Sequence, residues 1–208
     1  MPSDVAKPAP RLHIGSGKVR LEGWINIDVQ PLPGVDVVAD VTRGLDFAGV
    51  EAIFAEHFLE HLSIVDALAF LQEAQRVLAE GGWIRLSTPN LDWVWFTHYR
   101  LAAGAERKRR DALALNRAFH GWRHRFLWNR EILGEALLAH GFAGLRWCRY
   151  GESEQRIFQG LERHQTDEDT PELPHVIIAE ARKAAPQPDR LLRLHDMIQR
   201  EFLVHLAD

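Results

Sequence analysis

Cysteine is nearly absent from this 208-residue sequence, which contains only Cys148. A single cysteine excludes an internal disulfide framework and a zinc site built from several cysteines. Long hydrophobic runs are absent as well, since no stretch approaches the ~20 apolar residues that span a bilayer. Residues 1–10 lack the apolar core of a secretory signal and are predicted to form a short flexible tail. We therefore expect a cytoplasmic protein without a membrane span.

The composition is otherwise that of an ordinary globular domain. Hydrophobic residues make up 46% of the chain and charged residues 26%, and the length suits one domain with a core of its own. The net charge is −4, but nine Lys or Arg accompany only two Asp or Glu between Arg100 and Arg130. This basic segment is either a surface that attracts an anionic partner or a solvated helix face.

Short apolar runs alternate with helical periodicity along the chain. The predicted strands cover 11–14, 24–27, 35–39, 52–55, 83–87, 145–150 and 175–181. Helices are predicted from Ser63 to a glycine stop at Gly81-Gly82, from Asn129 to Gly141, and over 191–206. Alternating strands and helices predict an α/β fold with a doubly wound, mostly parallel sheet covered on both faces.

Polar or glycine residues follow five successive predicted strands. They are Gly15-Ser16-Gly17, Asp28, Asp40, Glu56-His57 and Thr88-Pro89-Asn90. Each residue type is common in turns, but ligands of open α/β sheets bind outside the carboxyl ends of the strands. The series therefore predicts a binding site along this edge of the sheet.

The ordered series resembles the class I S-adenosylmethionine-dependent methyltransferases. Leu12 to Gly17 is similar to the glycine-rich first motif of that family, and the segment Ala55 to Leu62 is similar to the segment after its fourth strand. The Gly-Ser-Gly turn followed by Gly23-Trp24-Ile25-Asn26-Ile27-Asp28 most resembles small type 11-like methyltransferases, many of which belong to glycan and polysaccharide assembly. The resemblance implies a methyltransferase domain over 11–183, with a substrate lid at about 91–128 and a C-terminal helical extension over 184–208.

The resemblance implies S-adenosylmethionine as the cofactor and a set of residues around it. The cofactor-binding residues are predicted to be His13, Gly15, Ser16, Gly17, Asp28, Asp40, Val41, Glu56 and His57. Asp28 corresponds to the acid that binds the ribose hydroxyls, and a carboxylate accepts two hydroxyl protons at once.

Two features depart from the family pattern near its first motif. His13 stands where most members have an acid, and Lys18 replaces a third glycine. Only Lys18 to Gly23 separate the glycine turn from the second strand, whereas a parallel crossover usually contains a helix. We therefore expect the first helix to be reduced to a turn.

Histidines are the candidates for acid–base chemistry, because their ordinary pKa is near ~6.5. A neutral acceptor needs a base and correct alignment before it takes a methyl group. His57, His61 and His124 are the predicted catalytic residues, and Glu60 is placed to orient a histidine or to favour the helix dipole. The predicted substrate-binding residues, mostly in the lid, are Asn90, Trp95, His98, His120 and Trp122.

Several other functions are compatible with parts of the sequence. His57 to His61 has the form of an inverted zinc-peptidase motif, and some related methyltransferases hold a divalent cation here, but we predict no metal ligands. A nucleotide-dependent oxidoreductase lacks its full glycine motif, because no glycine lies between Gly17 and Gly23. A catalytically inactive binding or partner subunit and an RNA methyltransferase stay as alternatives, although the acidic net charge disfavours nucleic acid. The predicted acceptor is a small molecule or a glycan, and an anionic acceptor is one explanation of the basic segment.

Overall fold

The computed structural model describes residues 9–100, 102–164, 170 and 172–206. Its centre is a seven-stranded sheet with the order β3-β2-β1-β4-β5-β7-β6. The strands are β1 Arg11–Ile14, β2 Ile25–Asp28, β3 Val37–Val38, β4 Val50–Glu56, β5 Leu78–Pro89, β6 Phe142–Cys148 and β7 Val176–Lys183. The first five are parallel, while β7 runs antiparallel to β5 and β6. The predicted mostly parallel α/β sheet is confirmed.

Five α-helices surround this sheet in the described residues. They are α1 Ile64–Val77, α2 Leu91–His98, α3 Ala105–His120, α4 Arg130–Ala139 and α5 Pro188–Glu201. Short 3₁₀ helices cover Leu59–His61, Gly121–Arg123, Arg156–Phe158 and Leu203–Leu206. Ser63 and Asn129 cap α1 and α4 through side chains that accept from Asp66 N and Ile132 N, as the sequence predicts.

One face of the sheet carries the main hydrophobic core. Side chains alternate along a strand, so Leu12 and Ile14 of β1 point to the same face, and both are fully buried in this core. Helices α1, α4 and α5 contribute the other apolar side chains. Helix α5 buries Leu194 and Ile198 there, so the predicted C-terminal extension packs into the domain itself.

The opposite face of the sheet is covered by residues 149–164, which we call the strap, and by the crossover between β1 and β2. Phe158 of the strap packs with Trp24 and Phe54. Beside this small cluster, the fully buried guanidinium of Arg85 pairs with Glu162 of the strap and Glu180 of β7. Buried charges are tolerated only when they are paired, so the strap supplies charge as well as apolar cover.

The crossover over residues 15–24 forms turns instead of a helix, as predicted. A buried amide replaces the packing of the missing helix. The Asn26 side chain accepts from Leu21 N at 2.9 Å and donates to the Leu21 and Trp24 carbonyls. It also lies 3.0 Å from His13 Nδ1. The bonds to Leu21 and Trp24 hold the short connection against the sheet.

The glycine stop predicted for α1 is wrong. The helix ends at Val77, and Leu78 is already extended and paired with Val50. Gly81 and Gly82 lie within β5, at an irregularity of the pairing with β4. A Cβ on Gly82 would lie 2.9 Å from the Val50 carbonyl oxygen, so close packing of the two strands requires the glycine.

The other predicted bounds differ by a few residues. The third strand is reduced to Val37–Val38, and the last helix ends at Glu201 before a 3₁₀ turn. Residues 1–8 of the predicted tail lie outside the described residues.

Helices α2 and α3 occupy the predicted lid region and contact each other and the 3₁₀ helix that follows. Only Asp111 is buried among the α3 residues, so this helix stands at the surface. In the part of the chain that the structure describes, no helix has the length and apolarity needed to cross a membrane.

Candidate active site

The larger of two adjoining cavities lies at the carboxyl ends of β1, β2 and β4. Its volume is about 790 Å³. Its lining includes Gly15, Gly17, Asp28, Asp40, Val41, His57, His61 and Trp122. Six of the nine residues predicted to bind the cofactor line this one cavity.

The glycine turn is fixed by Asp28 across the β1–β2 edge. Gly17 N donates to Asp28 Oδ2 and Gln30 N donates to Oδ1, both at 2.9 Å. Gly15 and Gly17 have φ of +63° and +54°, which favours glycine. A Cβ on Gly15 would lie 2.6 Å from Phe58 Cδ2, so a side chain here would collide with the wall of the cavity.

Asp40 carries a negative charge at the far end of the larger cavity. Its Oδ1 accepts from the Thr42 hydroxyl at 2.6 Å and from Thr42 N at 3.1 Å. The hydroxyl hydrogen bond is the main reason why the pKa of Asp40 is lowered. Val41 is buried beside it and supplies an apolar surface, so this end can hold a flat ring with polar edges.

The smaller cavity, of about 450 Å³, lies between the sheet edge and helices α2 and α3. Its lining includes six histidines, which are His57, His61, His98, His124, His164 and His175. Trp93, Val94 and Leu127 give it apolar walls. His57, His61 and Trp122 line both cavities, so the two spaces meet at these side chains.

His57 is held in one orientation at this junction. Its Nδ1 lies 3.0 Å from Glu60 Oε1, and the fully buried Glu60 accepts from the Thr88 hydroxyl at 2.9 Å through Oε2. A carboxylate only accepts, so the hydrogen bond assigns the imidazole proton to Nδ1. The Nε2 atom is buried and has no hydrogen-bond partner in the structure. His57 lies where the cavities meet, and its Nε2 carries an unused lone pair.

His57 also has a strained backbone, with φ of +47°. A residue other than glycine in this region costs on the order of 1–3 kcal/mol, and such strain clusters at functional sites. Trp122 and Arg123, at the rim of the larger cavity, have φ of 51° and 66°. Residues with positive φ therefore lie at the junction in two separate segments of the chain.

His61 and His124 lie together on the other side of the junction. Their ring centroids are 5.3 Å apart. His124 Nδ1 lies 2.8 Å from the Ala118 carbonyl oxygen, so this nitrogen donates and its Nε2 carries the lone pair. All three predicted catalytic histidines therefore line the smaller cavity.

Not every predicted site residue lines a cavity. Three residues predicted to bind the cofactor are not among the described residues that line the larger cavity. They are His13, Ser16 and Glu56. His13 is buried against Phe54, which lies on the opposite face of the sheet. Burial is the main reason why the pKa of His13 is lowered.

Of the residues predicted to bind substrate, His98 and Trp122 line the smaller cavity. Asn90 instead caps α2 and donates to the Pro174 carbonyl. Trp95 stacks on Tyr99 at 4.5 Å, and His120 is exposed in the last turn of α3. The lid therefore directs only part of its aromatic and histidine side chains inward.

The smaller cavity is also lined by four residues that the sequence did not predict, namely Trp93, Arg117, His164 and His175. His175 reaches the cavity because antiparallel β7 begins where β5 ends, with Asn90 N donating to His175 O at 2.8 Å. His164 reaches it at the end of the strap. Neither position follows a parallel strand, so the pattern of strand ends contains no signal for them.

Two sets of side chains bring metal-ligating atoms within 4.8 Å of one another. They are Glu56, His57 and His164, and Glu60, His61 and His124. Hydrogen bonds already join His57 to Glu60 and His164 to Glu56. Both glutamates therefore already have histidine partners, and the absence of metal ligands stays a prediction.

Comparison with known proteins supports the fold and leaves the family open. No protein-family model matches the chain, and no curated protein matches its sequence. Solved structures do match it at low identity. One is a SAM-dependent methyltransferase from Archaeoglobus fulgidus, with a TM-score of 0.52, 15% identity, and coverage of 85% of this chain and 87% of that one.

Two further structures have the same architecture. A chain from the complex of a Haloferax volcanii methyltransferase with the Trm112 methyltransferase activator has a TM-score of 0.52 and 14% identity, covering 88% of this chain and 85% of that one. A Burkholderia thailandensis 1,6-didemethyltoxoflavin-N1-methyltransferase with bound S-adenosylhomocysteine has a TM-score of 0.51 and 15% identity, covering 86% and 72%. The chain thus has the Rossmann-like fold found in methyltransferases.

Proposed function

We propose that this protein transfers a methyl group from S-adenosylmethionine to an oxygen or nitrogen of a small or glycan-type acceptor. The observation that carries the proposal is the junction of the two cavities at His57. One cavity offers a glycine turn and acids at strand ends, and the other offers a buried, unpartnered imidazole nitrogen. Methyl transfer requires a donor site and an acceptor site that open onto each other, and the two cavities are arranged in this manner.

The residues of the larger cavity fit the proposed cofactor. Gly15 and Gly17 leave space for the methionine portion, Asp28 can accept from both ribose hydroxyls, and Asp40 with Val41 can border the adenine. Neither His13 nor Lys18 is among the described lining residues, so neither of these two side chains fills the cavity. The bound cofactor would supply a methyl group already activated by its positive sulfur.

The residues of this chain would then supply alignment and a base. An acceptor O–H or N–H would lose its proton to His57 Nε2 as its oxygen or nitrogen gained the methyl group, with S-adenosylhomocysteine as the leaving group. Glu60 stabilises the imidazolium that forms, and Thr88 holds Glu60 in place. This arrangement resembles general-base catalysis in which a carboxylate orients the histidine.

The smaller cavity favours a small acceptor that carries an anionic group. Its volume suits a small molecule or one sugar unit. Glu60 is the carboxylate among its described lining residues, and it is engaged with His57 and Thr88. Arg117 also lines it, and no ion pair joins Arg117 to another described residue. By contrast, Arg107 and Arg110 in the same helix pair with acids.

Calorimetric titration tests the cofactor first. The protein is titrated with S-adenosylhomocysteine, and NAD⁺ and ATP serve as controls that share its adenosine. We expect one S-adenosylhomocysteine per chain, with no comparable heat from the controls. No heat and no thermal shift at millimolar S-adenosylhomocysteine would contradict the proposal.

The role of the base is tested in the active protein. His57→Ala should keep its affinity for S-adenosylhomocysteine and lose methyl transfer, by about 100-fold or more as expected for loss of a general base. His205→Ala, which changes an exposed histidine outside both cavities, is the matched control. An unchanged rate in His57→Ala would remove His57 from the reaction.

A further inference from the structure

The strap is tied to the sheet by one buried arginine. Arg85 Nε donates to Glu162 Oε1 at 2.5 Å, and Arg85 Nη1 donates to the Glu152 carbonyl at 3.0 Å. Glu162 in turn accepts from Gly151 N at 3.1 Å, and its carbonyl accepts from the Tyr150 hydroxyl at 2.8 Å. These bonds fix the path of the strap as far as Glu162.

The end of the strap is attached to the active-site edge by Glu56. Glu56 Oε1 accepts from Arg163 N at 2.8 Å and from His164 N at 3.1 Å. The His164 ring returns to the same carboxylate, with Nδ1 3.2 Å from Oε1. Only 10% of the Glu56 side chain is exposed, and its Oε1 contacts the end of the strap at all three of these atoms.

This attachment places His164 against the base. The His57 and His164 ring centroids are 4.5 Å apart, and both rings line the smaller cavity. His57 is therefore held by Glu60 at Nδ1, by a hydrogen bond from its backbone N to Ser87 O at 3.0 Å, and by His164 against its ring. A strained residue keeps one orientation only when its surroundings fix it.

We infer that His164 and Glu56 are positioning residues for His57. Glu56 holds the end of the strap, and the strap holds His164 against the His57 ring. The inference rests on the proposed function, in which His57 is the base. Glu56 then acts through the strap and does not bind the cofactor. His164 packs against the His57 ring, and the unpartnered Nε2 is the nitrogen left for the acceptor proton.

The first test needs no acceptor. Two-bond ¹H–¹⁵N NMR spectra report which imidazole nitrogen carries the proton. We expect one Nδ1-protonated form of His57 in the unaltered protein, and a mixture of forms in His164→Ala and Glu56→Ala. Glu154→Ala, an exposed change in the same strap, should leave the His57 signals unchanged. Unchanged His57 signals in both His164→Ala and Glu56→Ala would overturn the inference, whether or not the protein binds S-adenosylhomocysteine.

The second test separates positioning from binding. His164→Ala should lower kcat by about 10-fold, since small misplacements of a reacting group are costly, and leave KM for S-adenosylmethionine within about twofold. His164→Phe keeps a ring against His57 and should restore most of kcat, even if His164→Ala folds poorly. A kcat equal to that of the unaltered protein in His164→Ala, or a change confined to KM, would overturn the inference.

Discussion

Replacing Asp28 with alanine separates cofactor binding from fold stability. The carboxylate accepts from Gly17 N and Gln30 N at 2.9 Å each, and it lines the larger cavity. The acceptor is charged, so two lost hydrogen bonds of this kind lower the free energy of unfolding by about 3 kcal/mol. Two hydroxyl bonds to a charged group contribute about 3 kcal/mol or more to binding, which corresponds to a Kd for S-adenosylhomocysteine raised by about 100-fold.

Asp36→Ala is the matched control for this prediction. Asp36 Oδ2 accepts from Asn26 N at 2.9 Å and from Asn26 Nδ2 at 2.8 Å, so it also holds the β2 region. It is absent from the described residues that line the larger cavity. We expect Asp36→Ala to lower stability and leave the Kd within about threefold, a difference below ~0.7 kcal/mol.

Urea denaturation and calorimetric titration of the two variants provide the comparison. We expect both variants to be less stable in urea, but only Asp28→Ala to have a raised Kd for S-adenosylhomocysteine. If both variants weaken S-adenosylhomocysteine binding equally, the effect of Asp28 is indirect. If Asp28→Ala binds within threefold of the unaltered protein, the carboxylate does not contact the ligand.

Three other perturbations follow from the structure. Arg85→Met leaves its two glutamate partners buried without a counter-charge, so urea denaturation should show a loss of about 3–5 kcal/mol; unaltered stability would contradict the buried pairing. Burial lowers the pKa of His13 and His140, so the unfolded chain binds more protons below about pH 6.5 and stability falls as the pH falls, by up to ~1.4 kcal/mol per pH unit for each histidine. His140→Gln should flatten this slope immediately below pH 6.5, and an equal slope would refute the assignment. Gly15→Ala should abolish S-adenosylhomocysteine binding because of the predicted collision, whereas Gly144→Ala, at the same φ of +63° with open space around it, should cost stability only; equal binding by both would count against the proposed glycine turn.

The sheet was predictable because its strands are short apolar runs that end in polar residues. Parallel strands with their carboxyl ends on one edge bring Gly15, Asp28, Asp40 and His57 together, which the sequence pattern alone anticipates. The missing first helix was also predictable, since Lys18 to Gly23 is too short to contain one.

Other features depend on contacts between distant parts of the chain. Gly81 and Gly82 follow a helical pattern, but pairing of Leu78 with Val50 ends the helix earlier. His164 is separated from His57 by more than a hundred positions, and its place is set by Glu56 and the buried pair of Arg85. Local periodicity contains no information on such pairings, so the strap could not be read from the sequence.

The most direct test of the central claim is a crystal structure of the complex with S-adenosylhomocysteine. We expect the ribose hydroxyls on the Asp28 carboxylate, the homocysteine beside the glycine turn, and the sulfur directed at the junction lined by His57 and Trp122. A ligand bound away from Asp28, or with its sulfur remote from His57, would contradict the account.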